Sequence, residues 1–438
     1  MLKTSNAKTH WQVNRMTTPY STAAPTNTAL NYDTVDFQDT PIDLALEHRV
    51  AVYRLGRLRQ QIKEHDLNAV VLFDPINIRY ACGVRNMQVY SQRNPARYLV
   101  VPAEGPVALF EYRSCGHLAK GMPTIDEIHG ASSIMPLHSG PHSPRHVKNF
   151  VAEIDDVMRR SASGGKRIGI ESAPTEVVSA LAEHGYTLSD AARPVEIAKS
   201  IKSFDELTLI AKSVELTEQA MAVMERAIEP GLTENGLWSI FQQKVIETGG
   251  EYMETRLLSS GDRTNPWFQE TSAKQLAAGE LVAFDTDTVG VYGYYTDFSR
   301  TFFVGGEGAK PSAKQKELYS LSRDEIETNI ALMRPGMSFR EYSEKAWKIP
   351  EGYRENRYLA VVHGCGMTGE WPIISHSMDW DEVGYDGIIQ PGMTLCVESF
   401  CGHRDGGEGV KLEEQVLVTE TGVRRMSTYG YSDLLTNR

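Results

Sequence analysis

The sequence has 438 residues, more than the roughly 250 to 300 over which a single hydrophobic core keeps growing, so two domains are expected. Hydrophobic residues make up 41% and charged residues 23%, which excludes a wholly disordered chain, and no apolar run approaches the ~20 residues needed to span a bilayer. Lysine and arginine total 45 against 57 acids, a formal charge of −12 without any long basic run, which argues against nucleic acid as a partner.

Residues 1–40 are rich in Thr, Asn, Ser and Pro and lack apolar periodicity, so they read as a polar arm. Lys3, Lys8 and Arg15 are not followed by the apolar stretch of a secretory signal; the expected location is cytoplasmic. Cys82, Cys115, Cys365, Cys396 and Cys401 are odd in number and scattered, and are expected to be reduced and mostly buried.

From Leu44 to His65 the apolar residues Leu46, Val50, Val52, Leu55, Leu58 and Ile62 recur at helical spacing, and Ala69–Phe73 reads as a short buried strand. Asp74-Pro75 signals a turn. Strand-like runs at Tyr98–Pro102, Pro106–Tyr112 and Arg167–Glu171 alternate with helical stretches at 145–160 and 174–184, so 41–198 is expected to be an α/β domain. Val195–Glu206 is a polar break, and a long helix should follow, capped by Ser203 or Asp205 and stopped by Pro230-Gly231. Residues 199–438 mix strands, turns and helices as a second domain, and the chain as a whole reads as α+β.

The second half repeats itself weakly. Glu229-Pro-Gly-Leu-Thr-Glu234 is similar to Arg334-Pro-Gly-Met-Ser-Phe339, and Ala278-Gly-Glu-Leu-Val-Ala-Phe-Asp285 to Pro391-Gly-Met-Thr-Leu-Cys-Val-Glu398. Two half-domains about a pseudo-twofold would bring Asp285 and Glu398 together, which costs too much for buried carboxylates unless a cation neutralises them. Each copy offers a second acid on a following strand, Asp297 and Glu413. Asp287, two residues after Asp285, leaves the same strand face if pairing is regular. Between the copies lies His363, followed by glycines. Carboxylates with one imidazole suit a pair of divalent ions such as Fe, Mn, Co or Zn.

This constellation resembles the metal centre of the pita-bread fold family, which includes methionine aminopeptidase, aminopeptidase P, prolidase and creatinase. The family's Asp, Asp, His, Glu, Glu order is matched by Asp285 (or Asp287), Asp297, His363, Glu398 and Glu413, and the N-terminal domain resembles that of creatinase and prolidase. Longer strings are similar to the dimethylsulfoniopropionate lyases of the DddP type: Phe73-Asp-Pro-Ile-Asn-Ile-Arg-Tyr80, Asn86-Met-Gln88, Glu254-Thr-Arg-Leu-Leu258, Arg263-Thr-Asn-Pro-Trp-Phe-Gln-Glu270, Phe284-Asp-Thr-Asp287 and Pro391–Glu398. That resemblance implies Asp287 as a sixth ligand, iron as the ion, Tyr358 at the substrate site and a homodimer.

Two departures bear on chemistry. Where prolidase-like enzymes carry histidines that position the scissile carbonyl and the oxyanion, this sequence has Phe268 and Met367, which speaks against peptide hydrolysis. Where the lyases carry an Asp taken as the base, six residues after the metal His, it has Gly369; Glu370, His376 and Asp379 are the nearby substitutes. The expected reaction is a metal-dependent β-elimination on a small carboxylate osmolyte, giving acrylate and dimethyl sulfide, with Tyr358, Glu370 and His376 as catalytic candidates. A sulfonium head would be bound by aromatic faces, for which Tyr90, Trp267 and Trp371 are candidates beside Tyr358. The alternative is hydrolysis of an amide or amidine C–N bond in a small molecule, which needs no elimination base; a metal-holding binding protein is a third reading.

Overall fold

The computed structural model describes residues 31–35 and 42–436. They form two compact units, 42–199 in one and 31–35 with 200–436 in the other. The polar arm assigned to 1–40 otherwise lies outside the described residues. Residues 31–35 do not behave as an arm. Tyr32 is buried, its hydroxyl donates to the Lys202 carbonyl at 2.7 Å and its ring meets Phe204 edge-on at 5.4 Å.

The first unit is built on one six-stranded mixed sheet. Its strands are β1 (Ala69–Leu72), β2 (Tyr98–Pro102), β3 (Ala108–Glu111), β4 (Glu127–Gly130), β5 (Arg167–Ile170) and β6 (Thr187–Asp190), in the order β4-β3-β2-β1-β5-β6. β1 pairs antiparallel with β2 and parallel with β5, the latter through a crossover that contains the helix Ser143–Arg160. That helix buries Val147, Phe150, Val151, Ile154, Val157 and Met158, a three-and-four spacing that gives one apolar face. Phe150 packs on Phe73 and Tyr98 of the sheet. The helix Leu44–Glu64 forms as expected, with Asp43 capping Leu46 N. Asp74-Pro75 is not a turn but a helix start: Asp74 caps the backbone of Ile76 and Asn77, and Pro75 opens the helix Pro75–Cys82, where a missing N–H costs nothing. Glu171 ties this start to β5 by accepting from the amides of Phe73 and Asp74 and from the Asn77 side chain.

The second unit shows the repeat. The helices Phe204–Arg226 and Ala313–Leu332 each begin with a capping box, Ser203 with Glu206 and Ser312 with Gln315. Each is followed by a Pro-Gly turn with glycine in the left-handed region, Gly231 at φ 95 and Gly336 at φ 85, and by a second helix, Glu234–Glu247 or Phe339–Lys345. The two turns bond their following loops alike: Gly231 N to Leu276 O and Gly336 N to Ile389 O.

The strands come next in each half: β7 (Tyr252–Met253), β8 (Leu258–Ser260), β9 (Leu281–Asp285), β10 (Thr288–Val289), β11 (Tyr295–Thr296) and β12 (Ser299–Phe303), then β13 (Val362–Cys365), β14 (Gly369–Ile374), β15 (Thr394–Gly402), β16 (Gly409–Val418) and β17 (Val423–Arg425). They form sheets ordered β11-β10-β7, β12-β9-β8 and β14-β13-β15-β16-β17. β12 meets β16 through Thr301, whose hydroxyl donates to Lys411 O at 2.8 Å and accepts from Lys411 N at 3.0 Å. This seam joins the two halves and puts their carboxylate-bearing strands side by side. All five cysteines are free, and all but Cys115 are buried. Among the described residues no helix is long and apolar enough to cross a membrane.

Candidate metal centre

Strand register builds the centre. Asp285 ends β9 opposite Ser299 of β12, and Glu398 of β15 faces Glu413 of β16 directly. His363 on β13 sits opposite Cys396, two residues from Glu398 and on the same face of β15. Asp297 lies just before β12. The ring Nε2 of His363 is 3.2 Å from Glu398 Oε1, 3.5 Å from Asp297 Oδ2 and 3.6 Å from Glu413 Oε1. Ligand atoms of Asp297, His363, Cys396 and Glu413 gather within 4.8 Å of one another, as do those of Asp285, Asp287 and Asp297. The six residues singled out as ligands are thus brought together.

Asp287 arrives by a different route from regular pairing. Its φ is 38, a left-handed residue that breaks the strand after Asp285, and its carboxylate is held by the hydroxyls of Thr255 and Tyr295. Neither partner was evident from sequence.

The acids are buried and crowd one another. Burial pushes the carboxyls of Asp285 and Asp297 up, with Glu413 adding to both, and burial with the adjacent Asp285 pushes Asp287 up to about 7. Burial opposes protonation of His363, yet Glu398 and Glu413 hold its pKa well above the ordinary imidazole value. Burial and Glu398 push Glu413 up, but Lys411 and His363 outweigh them and hold it low. Asp297 Oδ1 and Glu413 Oε1 are buried without a hydrogen-bond partner. Oxygen donors of this kind, beside one imidazole, fit divalent iron, manganese, cobalt or zinc.

One basic group in this cluster was missed. Lys411 is fully buried, and its Nζ lies 2.6 Å from Glu398 Oε2, 2.9 Å from Glu413 Oε2, 2.7 Å from Ser299 Oγ and 3.4 Å from Asp285 Oδ2. The signal was a lysine two residues before Glu413 on the same strand, which period-two alternation puts on the same face. The neighbouring Glu414 points the other way and pairs with Arg300 at 2.8 Å.

Beside Lys411 stands an aromatic wall. The ammonium lies 4.8 Å from the ring centroid of Tyr358 and 5.9 Å from that of Trp267; Phe268, half-exposed, meets Tyr358 at 5.4 Å. Burial, then Glu398, pushes the Tyr358 hydroxyl well above its ordinary pKa, so it stays protonated and is no base at neutral pH.

The other candidates are placed elsewhere. Glu370 turns from the acid cluster: Oε2 accepts from Lys202 at 2.9 Å and Oε1 from the Met367 amide at 2.7 Å. His376 is buried with Nε2 2.9 Å from the Tyr358 carbonyl; a carbonyl only accepts, so Nε2 carries the proton, and burial lowers the ring's pKa to about 4. Asp379 pairs with Arg357. Trp371 packs on Phe339 at 5.5 Å, against the core of the second unit. Tyr90 belongs to the first unit, where its hydroxyl meets His138 Nε2 at 2.9 Å and its ring approaches Tyr112. At Gly369 an added Cβ would have only His363 within 4 Å, Nδ1 at 3.9 Å and Cε1 at 4.0 Å.

Residues 208–420 match the model of metallopeptidase family M24, and residues 54–200 match that of the creatinase/prolidase N-terminal domain. A dimethylsulfoniopropionate lyase DddP of Roseovarius nubinhibens is 32% identical over 395 residues, covering 89% of this chain and 88% of the relative. The chain belongs to the M24 family. The corresponding lyase of Roseobacter denitrificans is 31% identical over 90% of this chain and 88% of its own. An Xaa-Pro dipeptidase of Pyrococcus furiosus is 28% identical over 52% of this chain and 63% of its own length. Among solved structures, the prolidase of Pyrococcus horikoshii superposes with a TM-score of 0.70 at 20% identity, covering 87% of this chain and 99% of the prolidase. The fold is therefore the pita-bread fold with a creatinase-like N-terminal domain. Enzymes of this M24 family depend on a pair of metal ions, and the donor set fits that requirement.

Proposed function

We propose that this chain is a dinuclear metalloenzyme acting on a small zwitterion, a carboxylate at one end and a sulfonium at the other. Its reaction on this reading is elimination of dimethylsulfoniopropionate to acrylate and dimethyl sulfide. The observation that carries the proposal is the wall of Trp267, Phe268 and Tyr358 beside the acid cluster, in which the Trp267 and Tyr358 faces already meet the Lys411 ammonium. A sulfonium has no proton to donate, so aromatic faces and nearby carboxylates are what recognise it. The two lyases named above, at 31–32% identity over most of both chains, support the same reading.

Asp285, Asp287, Asp297, His363, Glu398 and Glu413 would hold the ions, iron first among them, with manganese, zinc and cobalt as alternatives. When bound, they supply Lewis acidity for the substrate carboxylate. Tyr358, protonated and beside Glu398, is assigned to orienting that carboxylate through its hydroxyl.

A second reading has a specific observation in its favour. Glu370, His376 and Asp379 are each paired with groups other than the acid cluster, Lys202, the Tyr358 carbonyl and Arg357, which speaks against their serving as the base for elimination. Hydrolysis of an amide or amidine C–N bond in a small molecule does not need that base, and relatives such as the Pyrococcus furiosus dipeptidase belong with it. Detection of dimethyl sulfide from iron-reconstituted protein given dimethylsulfoniopropionate, run beside Gly369→Asp, decides between them. Release by the native chain supports the lyase. Release by the variant alone moves hydrolysis to first place.

A further inference from the structure

The carboxylates of Glu398 and Glu413 are divided between two neighbours. Each turns Oε1 toward His363 Nε2, at 3.2 and 3.6 Å, and Oε2 toward Lys411 Nζ, at 2.6 and 2.9 Å. On the His363 side, Asp297 presents Oδ2 at 3.5 Å from Nε2 and Glu413 Oε1 has no hydrogen-bond partner, so an ion arriving there finds a free lone pair. On the other side Lys411 spends its three N–H donors on Ser299, Glu398 and Glu413 and lies 3.4 Å from Asp285 Oδ2. Asp285 is also one of the three aspartates that would hold the second ion. An ammonium and a divalent ion therefore claim the same oxygens.

We propose that Lys411 is the resident cation of this centre. It neutralises the Asp285 side in the metal-free chain, so that side stays folded without metal. An ion on the Asp285 side then binds against the ammonium and is weakened by it. Lys411 is a positioning residue, fully buried, and it acts through Glu398, Glu413 and Asp285.

The inference rests on the reading of these residues as metal ligands, and its test separates the two. Chelator-treated full-length protein is titrated with manganese(II) by calorimetry, and the thermal midpoint is recorded with and without the ion, for the native chain, Lys411→Met and Lys411→Arg. The native chain should bind in two steps of unequal affinity. Lys411→Met should tighten the weaker step by on the order of tenfold or more, since a point charge amid buried acids is removed, and should lower the midpoint of the metal-free protein while manganese restores it. Lys411→Arg keeps the charge and should keep both native properties. Unchanged affinities in Lys411→Met overturn the proposal, and so does a Lys411→Met protein that manganese does not stabilise, because the side chain is then only packing. A native chain that takes up manganese while Lys411→Met behaves identically leaves the metal reading standing alone; a native chain that takes up none overturns both.

Discussion

Lys202 Nζ donates to Glu370 Oε2 at 2.9 Å with both side chains almost wholly buried. The other oxygen of Glu370 accepts from the Met367 amide, so the pair holds the turn that follows the strand carrying His363. Breaking such a pair leaves an uncompensated charge in the interior, whereas removing both partners does not. Lys202→Met is expected to cost about 3–5 kcal/mol of stability, and Lys202→Met with Glu370→Met to recover most of it. Urea unfolding of the two variants measures this; equal losses would mean that the charge pair is not what matters.

Metal uptake should stabilise the protein by mass action, about 2.7 kcal/mol at a free ion concentration one hundred times Kd. His363→Ala removes the only imidazole in the cluster and one wall of the side with free oxygens. Its thermal midpoint is expected to shift less on addition of manganese than that of the native chain. An equal shift would place the ion somewhere other than beside His363.

The clustering of Asp285, Glu398 and Glu413 was legible because each lies at the end or in the middle of a strand, where period-two geometry sets the face its side chain takes. Glu398 and Glu413 are the clearest case, since direct cross-strand pairing brings them together. The helices Leu44–Glu64 and Phe204–Arg226 were legible from caps and apolar spacing. What was not legible depended on long-range partners. Glu370 looked like a substitute base by its place beside Gly369, but its role is set by Lys202, which no local pattern connects to it. Trp371 looked like a substrate contact, yet on β14 it faces Phe339 and the core. Asp74-Pro75 read as a turn, yet it opens a helix, with Asp74 as the cap and Glu171, far along the chain, accepting from the Phe73 and Asp74 amides.

Phe268 is half-exposed and stands at the end of the aromatic wall, so it can be truncated with little loss of core packing. A cation over an aromatic face is worth about 0.5–2 kcal/mol, or about 2- to 30-fold in affinity. Phe268→Ala is expected to raise KM for dimethylsulfoniopropionate within that range and to leave inhibition by propionate, which lacks the cationic head, unchanged. Equal weakening of both would show that the ring contacts the carboxylate end or shapes the site generally.

His376 gives a pH dependence whose sign can be worked out. Burial, its largest influence, lowers its pKa to about 4 in the folded chain, against about 6.5 when unfolded. Between these values the unfolded state binds the proton and the folded state does not, so stability falls as pH falls. The contribution is fully present above pH about 6.5 and is lost on the way down to about 4, at most roughly 3 kcal/mol for a shift of this size. His376→Gln cannot take up a proton and should lack this part of the slope while keeping a donor for the Tyr358 carbonyl. The comparison is the difference in urea midpoint between native and variant protein at pH 7.5 and pH 5, which cancels the many other groups that titrate in both. The native chain should lose more stability over that interval than the variant; equal losses would mean that His376 becomes charged without opening its burial site.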